Sequence, residues 1–130
     1  MSVFVDTSAL YALLDRDDAG HERAMRARNS ILGEELVTHS YVIVETVSLV
    51  RRRLGAEATA RLIDDVLPAM TIVDVDETLR SRAFAAFRAA VSSDVSLVDR
   101  ASFEFMREHG ISLAYALDAD FETEGFRLVS

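Results

Sequence analysis

The sequence predicts an α/β fold with a mainly parallel central sheet of about five strands flanked by helices. Two observations carry this. Short apolar runs alternate along the chain with longer segments whose apolar residues recur at helical spacing, the pattern of strand–helix–strand units. The first run, Val3, Phe4 and Val5, is apolar at consecutive positions, as a strand covered by helices on both faces must be. At 130 residues, half of them hydrophobic, the chain has material for one domain over 1–130 with a real core. A single proline, Pro68, and five glycines leave no linker, low-complexity tract or internal repeat.

Taken in order, the first strand reads 2–6 and runs straight into a short helix, 7–14. Asp17 or Asp18 caps a second helix to about 32, whose Arg23, Arg26 and Arg28 lie away from its positive end. "ELVTH" (35–39) is a strand. Ser40 caps "YVIVETVSLVRRRLG", in which β-branched residues favour strand. Its length and the helical spacing of Ile43, Val47, Val50 and Leu54 decide for helix, stopped at Gly55. A helix over 56–67 ends at Pro68, and "TIVDV" (71–75) is a strand. Asp76 caps a helix to about 91 with core face Leu79, Ala83, Phe87 and Ala90. A helix from Ser96 stops at Gly110, "ISLAYAL" (111–117) is a strand, and "FRLV" (126–129) is a last strand at the sheet edge.

Composition narrows the function. The formal net charge of −8 argues against a protein that coats nucleic acid through its phosphates. Every one of the 14 basic residues is arginine. The absence of cysteine removes disulfides and thiolate metal sites and fits a cytoplasmic location. No apolar run approaches the roughly 18 residues of a membrane span, so none is expected, and the first residues lack the basic segment and apolar stretch expected of a secretory signal.

The acids carry the chemistry. A parallel sheet delivers the carboxyl ends of its strands to one side, where ligands bind. Asp6 ends the first strand and Asp118 ends strand 111–117, so the fold brings them to one edge. Taken alone, Asp6 is explained as a helix N-cap and Asp118 as a turn residue. Glu45 interrupts an apolar helix and shares a face with Tyr41, Ser48, Leu49 and Arg52, so it either pairs with Arg52 or faces the cleft. "SLVD" (96–99) fits a capping box, which places Asp99 in a first helical turn without preventing it from serving as a ligand. Each carboxylate pair at ~4 Å and an effective dielectric of ~20 costs about 4 kcal/mol. A cation between them removes that cost, and an all-oxygen ligand set suits Mg²⁺ or Mn²⁺.

In this order and on these elements, "DTS" after the first strand, a lone Glu on an apolar helix, "SLVD" and "LDADF" resemble the PIN-domain nucleases. In size the chain is similar to the VapC-type toxins of bacterial toxin–antitoxin pairs. The resemblance covers essentially the whole chain and implies a PIN-like three-layer sandwich. It implies an acidic quartet of Asp6, Glu45, Asp99 and Asp118, with Asp6, Asp99 and Asp118 on the metal. Thr7, Ser8, Ser96 and Asp120 match supporting positions. It also implies Mg²⁺-dependent endoribonuclease activity, a homodimer and a cognate antitoxin. Where relatives often carry Thr, this chain has Ala116, which removes a hydroxyl near Asp118.

Arg51, Arg52 and Arg53 close a helix, where cations suit the dipole and could also meet RNA or a second subunit. His21, His39 and His109 read as surface residues. Two rival functions are an inactive PIN-like binding module and an Asp-nucleophile phosphatase or receiver domain. The phosphatase lacks its second acid, since Ser8 stands there, and the receiver lacks its lysine.

Overall fold

The computed structural model describes all 130 residues. Its elements are β1 (Ser2–Val5), α1 (Thr7–Leu14), α2 (His21–Ser30), β2 (Glu35–His39), α3 (Ser40–Leu54) and α4 (Ala56–Arg61), then β3 (Thr71–Val73), α5 (Glu77–Ala89), α6 (Leu97–Glu108), β4 (Leu113–Tyr115), α7 (Asp120–Thr123) and β5 (Arg127–Leu128). The strands form one sheet in the order β3-β2-β1-β4-β5, with every pairing parallel and β5 at an edge, as the sequence predicts. The order reverses at β1, which lies between β2 and β4. In a doubly wound sheet that reversal opens a crevice at the carboxyl ends of the strands.

β1 is buried on both faces, which explains its unbroken apolar sequence. Phe4 points into one layer and packs with Phe105 and Phe121, ring centres 5.7 and 6.1 Å away. Leu79 of α5 and Phe103 and Met106 of α6 complete that layer. Val3 and Val5 point the other way, onto Leu10 and Ala12 of α1 and Ala24 and Ala27 of α2. Fully burying such a side chain contributes about 1.5–3 kcal/mol, so the two layers hold β1, and the residue after it, in place. Behind α1, a third cluster joins Tyr11 to Val50, Ala58 and Leu62, flanked by Ile43, Val47 and Leu54.

Several boundaries differ from the sequence reading. α2 begins after Gly20, not after an aspartate cap. Asp18 Oδ2 instead accepts the Gly20 N–H at 2.8 Å and closes the turn before the helix. The helix after Gly55 does not run regularly to Pro68. Beyond α4 the chain widens into a π turn over Leu62–Val66 and tightens into a 3₁₀ turn over Leu67–Ala69 that contains Pro68. Proline has no N–H, so a regular ladder cannot run through it. Strands β3, β4 and β5 are shorter than their apolar runs, whose flanking Val75, Ile111, Ala116 and Phe126 still pack on the core.

The cap of α3 is the most instructive difference. Ser40 is not the N-cap: its Oγ accepts the Val75 N–H at 3.0 Å and ties in the segment after β3. His39 caps the helix, with Nδ1 accepting from Val42 N at 3.4 Å. Nor is His39 a surface residue, for it has no exposure at all. With Nδ1 accepting, its proton sits on Nε2, which donates to Ser102 Oγ at 2.9 Å. Ser102 in turn donates to the Val98 carbonyl at 3.0 Å. Burial pushes the imidazole down to about 4, so it is neutral at pH 7. This neutral chain of bonds joins the start of α3 to the first turn of α6. Ser102→Ala should leave a buried N–H unpaired and cost about 1–3 kcal/mol in urea unfolding. A loss under about 0.5 kcal/mol would show that His39 does not depend on Ser102.

Candidate active site

The carboxyl ends of β1 and β4 meet beside each other, where the Asp6 N–H donates to the Tyr115 carbonyl at 3.0 Å. Asp6 is buried. Its Oδ2 accepts from Ser8 N at 3.0 Å and Ser8 Oγ at 2.6 Å, so the N-cap role expected of it is real. Its Oδ1 is buried and has no hydrogen-bond partner. Burial raises its pKa to about 6 against the opposing Ser8 hydrogen bonds, and the charges of Glu45 and Asp118 add to the rise. Ser8 also accepts the Leu117 N–H at 2.9 Å, which links the Asp6 carboxylate to the backbone just before Asp118.

Asp99 lies in the first turn of α6, and Ser96 Oγ accepts its N–H at 3.1 Å as the capping pattern predicts. Its pKa rises to about 8, from burial first and then from the charges of Asp6, Asp118, Glu45 and Asp120. Asp118 Oδ1 accepts the Asp120 N–H at 2.9 Å. The Asp120 carboxyl is itself raised, first by the charge of Asp118 and then by burial. Thr7 bonds Thr46 across 2.8 Å and reaches the Val42 carbonyl, fixing α1 against α3.

Asp6, Glu45, Asp99 and Asp118 line one cleft of about 440 Å³, with Thr7, Ser8 and Ser96 on its walls. Ser48, Leu49 and Arg52, from the same face of α3 as Glu45, complete it. The alternative for Glu45, a pair with Arg52, is not formed, and no ion pair involves either residue. Seven residues of helix separate them by about 10 Å along the axis. A larger groove of about 520 Å³ elsewhere is mostly apolar and gathers no acidic cluster.

The tightest carboxylate group differs from the expected metal set of Asp6, Asp99 and Asp118. Oxygens of Asp99, Asp118 and Asp120 lie within 4.8 Å of one another, so Asp120 joins the group through its turn onto Asp118. Ala116 packs into the α5–α6 layer and does not line the cleft, so the missing hydroxyl leaves Asp118 held by the Asp120 N–H. The donors are all oxygen, and a buried carboxylate oxygen, Asp6 Oδ1, stands without a partner. That combination fits a hard divalent cation. The sequence reading missed the His39–Ser102 tie. Its one signal was position: His39 follows Val37 and Thr38 at the inner end of a buried strand.

A family model described as the PIN domain matches residues 3–125. The chain belongs to the PIN domain family. Among this PIN domain's relatives is the Mycobacterium tuberculosis protein named 23S rRNA-specific endonuclease VapC20. It is 35% identical over 127 residues, which cover 95% of each chain. The crystal structure of VapC20, described as a Sarcin–Ricin loop cleaving toxin, superposes with a TM-score of 0.84 at 34% identity, covering 95% of both chains. FitAcB from Neisseria gonorrhoeae shares the fold, with a TM-score of 0.72 at 16% identity over 100% of this chain and 97% of that one.

The crowded acids have a consequence for stability. Asp99 holds its proton up to about pH 8 when folded, against an ordinary value of 3.8. Its contribution is therefore present in acid and lost as pH rises through 8. Asp6 acts in the same sense up to about pH 6. His39 acts oppositely, weakening the fold as pH falls from 6.5 towards 4. Above pH 6.5 only the acid effect remains. Thermal melts of chelator-treated protein should fall between pH 6.5 and 8.5, and Asp99→Asn should flatten the decline. A parent protein with a flat profile would show that Asp99 ionises freely.

Proposed function

We infer that the chain is a Mg²⁺-dependent endoribonuclease, the toxin of a VapBC-type toxin–antitoxin pair, formed as a single nuclease domain over 1–130. One observation carries this: four acidic side chains, from the residue after β1, from α3 and α6, and from the turn after β4, converge on one cleft. The 35% identity to VapC20 supports ribonuclease chemistry and makes 23S rRNA the substrate to assay first. Likeness to VapC20, a Sarcin–Ricin loop cleaving toxin, directs that assay to the same loop. The resemblance to VapC-type toxins supports a cytoplasmic setting, a homodimer and a cognate antitoxin. No helix is long and apolar enough to cross a membrane.

Asp99, Asp118 and Asp120 would hold the Mg²⁺, with Mn²⁺ as a substitute, and Asp6 would face it with its free Oδ1. When bound, the ion supplies a lowered pKa for a coordinated water and charge stabilisation at a phosphodiester oxygen. Asp6 is kept oriented by Ser8, which leaves one carboxylate oxygen for the cleft. Glu45 is half-buried and free of ion pairs, so it can take the proton from the attacking water. Thr7 and Thr46 hold α3 against α1, which sets where that base stands.

Cleavage of a 23S rRNA hairpin carrying the sarcin–ricin loop should require Mg²⁺ and stop with EDTA. Glu45→Gln keeps the side-chain shape but cannot accept the proton. It should slow cleavage about 100- to 10,000-fold while leaving the melting temperature of the chelated protein unchanged or higher, because it removes a like charge. A Glu45→Gln protein that cuts at the parent rate would remove Glu45 from the reaction. A parent that binds the hairpin yet never cuts RNA would be an inactive binding module.

A further inference from the structure

We propose that Arg52 and Ser48 form a phosphate-binding subsite beside the acidic cleft, gripping an RNA phosphate next to the one that is cut. The inference rests on the endoribonuclease reading and adds to it the group that receives the substrate. The chain has a formal net charge of −8, and its cleft gathers four acids, so an approaching polyanion meets repulsion unless a local cation offsets it. Arg52 is the only cationic side chain lining that cleft.

The position of Arg52 is what a subsite requires. Glu45, Ser48 and Arg52 lie at i, i+3 and i+7 on one face of α3, and all three line the cleft. The face therefore runs from a carboxylate, through a hydroxyl, to a guanidinium about two helical turns away. That spacing puts the cation beside the metal-binding acids and not upon them, so it need not displace an ion. Arg52 is exposed and in no ion pair, which leaves its donors for a ligand. Its neighbour is engaged differently: the Arg53 guanidinium lies over the Tyr11 ring, 5.4 Å from its centre. A planar fork binds phosphate oxygens in pairs, and the Ser48 hydroxyl adds a donor one turn back. The favourable contact of Arg51, Arg52 and Arg53 with the C-terminal end of α3 is shared among three residues and does not require one to face the cleft.

The test measures binding, not turnover, in a Glu45→Gln background so that the RNA stays intact. The probe is the 23S rRNA hairpin carrying the sarcin–ricin loop, titrated across a range of salt in Mg²⁺. Phosphate contacts are independent of sequence, so this probe reports on them wherever the cut falls. Adding Arg52→Gln should weaken binding about tenfold and reduce the slope of log K against log salt by about 0.7–0.9. Arg52→Lys should recover part of the affinity and all of the slope. Mn²⁺ affinity and melting temperature should be unchanged, and Arg88→Gln on α5, outside the cleft, should bind like its parent. Unaltered affinity and slope in Arg52→Gln would overturn the proposal. So would a loss of Mn²⁺ affinity or of melting temperature, which would make Arg52 a partner of the acids. If the parent cuts RNA and Arg52→Gln binds normally, only the subsite fails. If the parent cuts no RNA in Mg²⁺, the endoribonuclease reading fails first and takes the subsite with it.

Discussion

Like charges forced together in a partly dry cleft are the constraint on which the rest of this structure depends. The sheet order reverses at β1, so the residues after β1 and β4 emerge side by side, and both segments end in aspartate. α6 and α3 add Asp99 and Glu45 to the same cleft. Burial and mutual repulsion raise Asp6 to about 6 and Asp99 to about 8. Such a site gains nothing for folding in the absence of a cation. It is ready to lose protons when a divalent ion arrives, which couples metal affinity to pH.

Neutral hydrogen bonds, not ion pairs, hold the acids in place. Ser8 binds the Asp6 carboxylate and the backbone before Asp118 at once. Thr7 and Thr46 join α1 to α3, and His39 and Ser102 join α3 to α6. The helices that present Glu45 and Asp99, α3 and α6, are therefore each pinned to a neighbour by groups whose charge does not change near neutral pH. The arrangement suits a centre whose own charge varies with protonation and metal. The ion pairs involve none of these four acids, as in Arg107 with Glu104 and Glu124, where the guanidinium is exposed and the glutamates are half-buried.

The fold was legible because its signals are local and repeated. Unbroken apolar strands announce a sheet covered on both faces, and caps such as Asp76 and Ser96 mark helix starts through bonds to residues three ahead. Asp6 and Asp118 are legible because parallel strands share a polarity, so position along a strand implies position in space; Glu45 and Asp99 stand on helices, and only the resemblance to PIN-domain nucleases joins them to the same cleft. The rest depends on long-range contacts. Burial of His39 follows from the ring of Phe4 and from Ser102, 63 positions away, and nothing near it in sequence displays either. Serine commonly caps helices, so local sequence points Ser40 to that role, whereas its hydroxyl bonds a segment 35 positions on. The approach of Asp120 to Asp99 and Asp118 depends on the turn before α7, which the sequence around it does not display.

These carboxylates are expected to form one divalent-cation site. Anomalous diffraction from a crystal soaked in Mn²⁺ tests it most directly, because the scattering locates the ion without reference to activity. A peak should appear in the cleft with oxygens of Asp99 and Asp118 as ligands and Asp6 Oδ1 turned towards it. A fully soaked crystal with no peak in the cleft, or with its peak outside these acids, would contradict it.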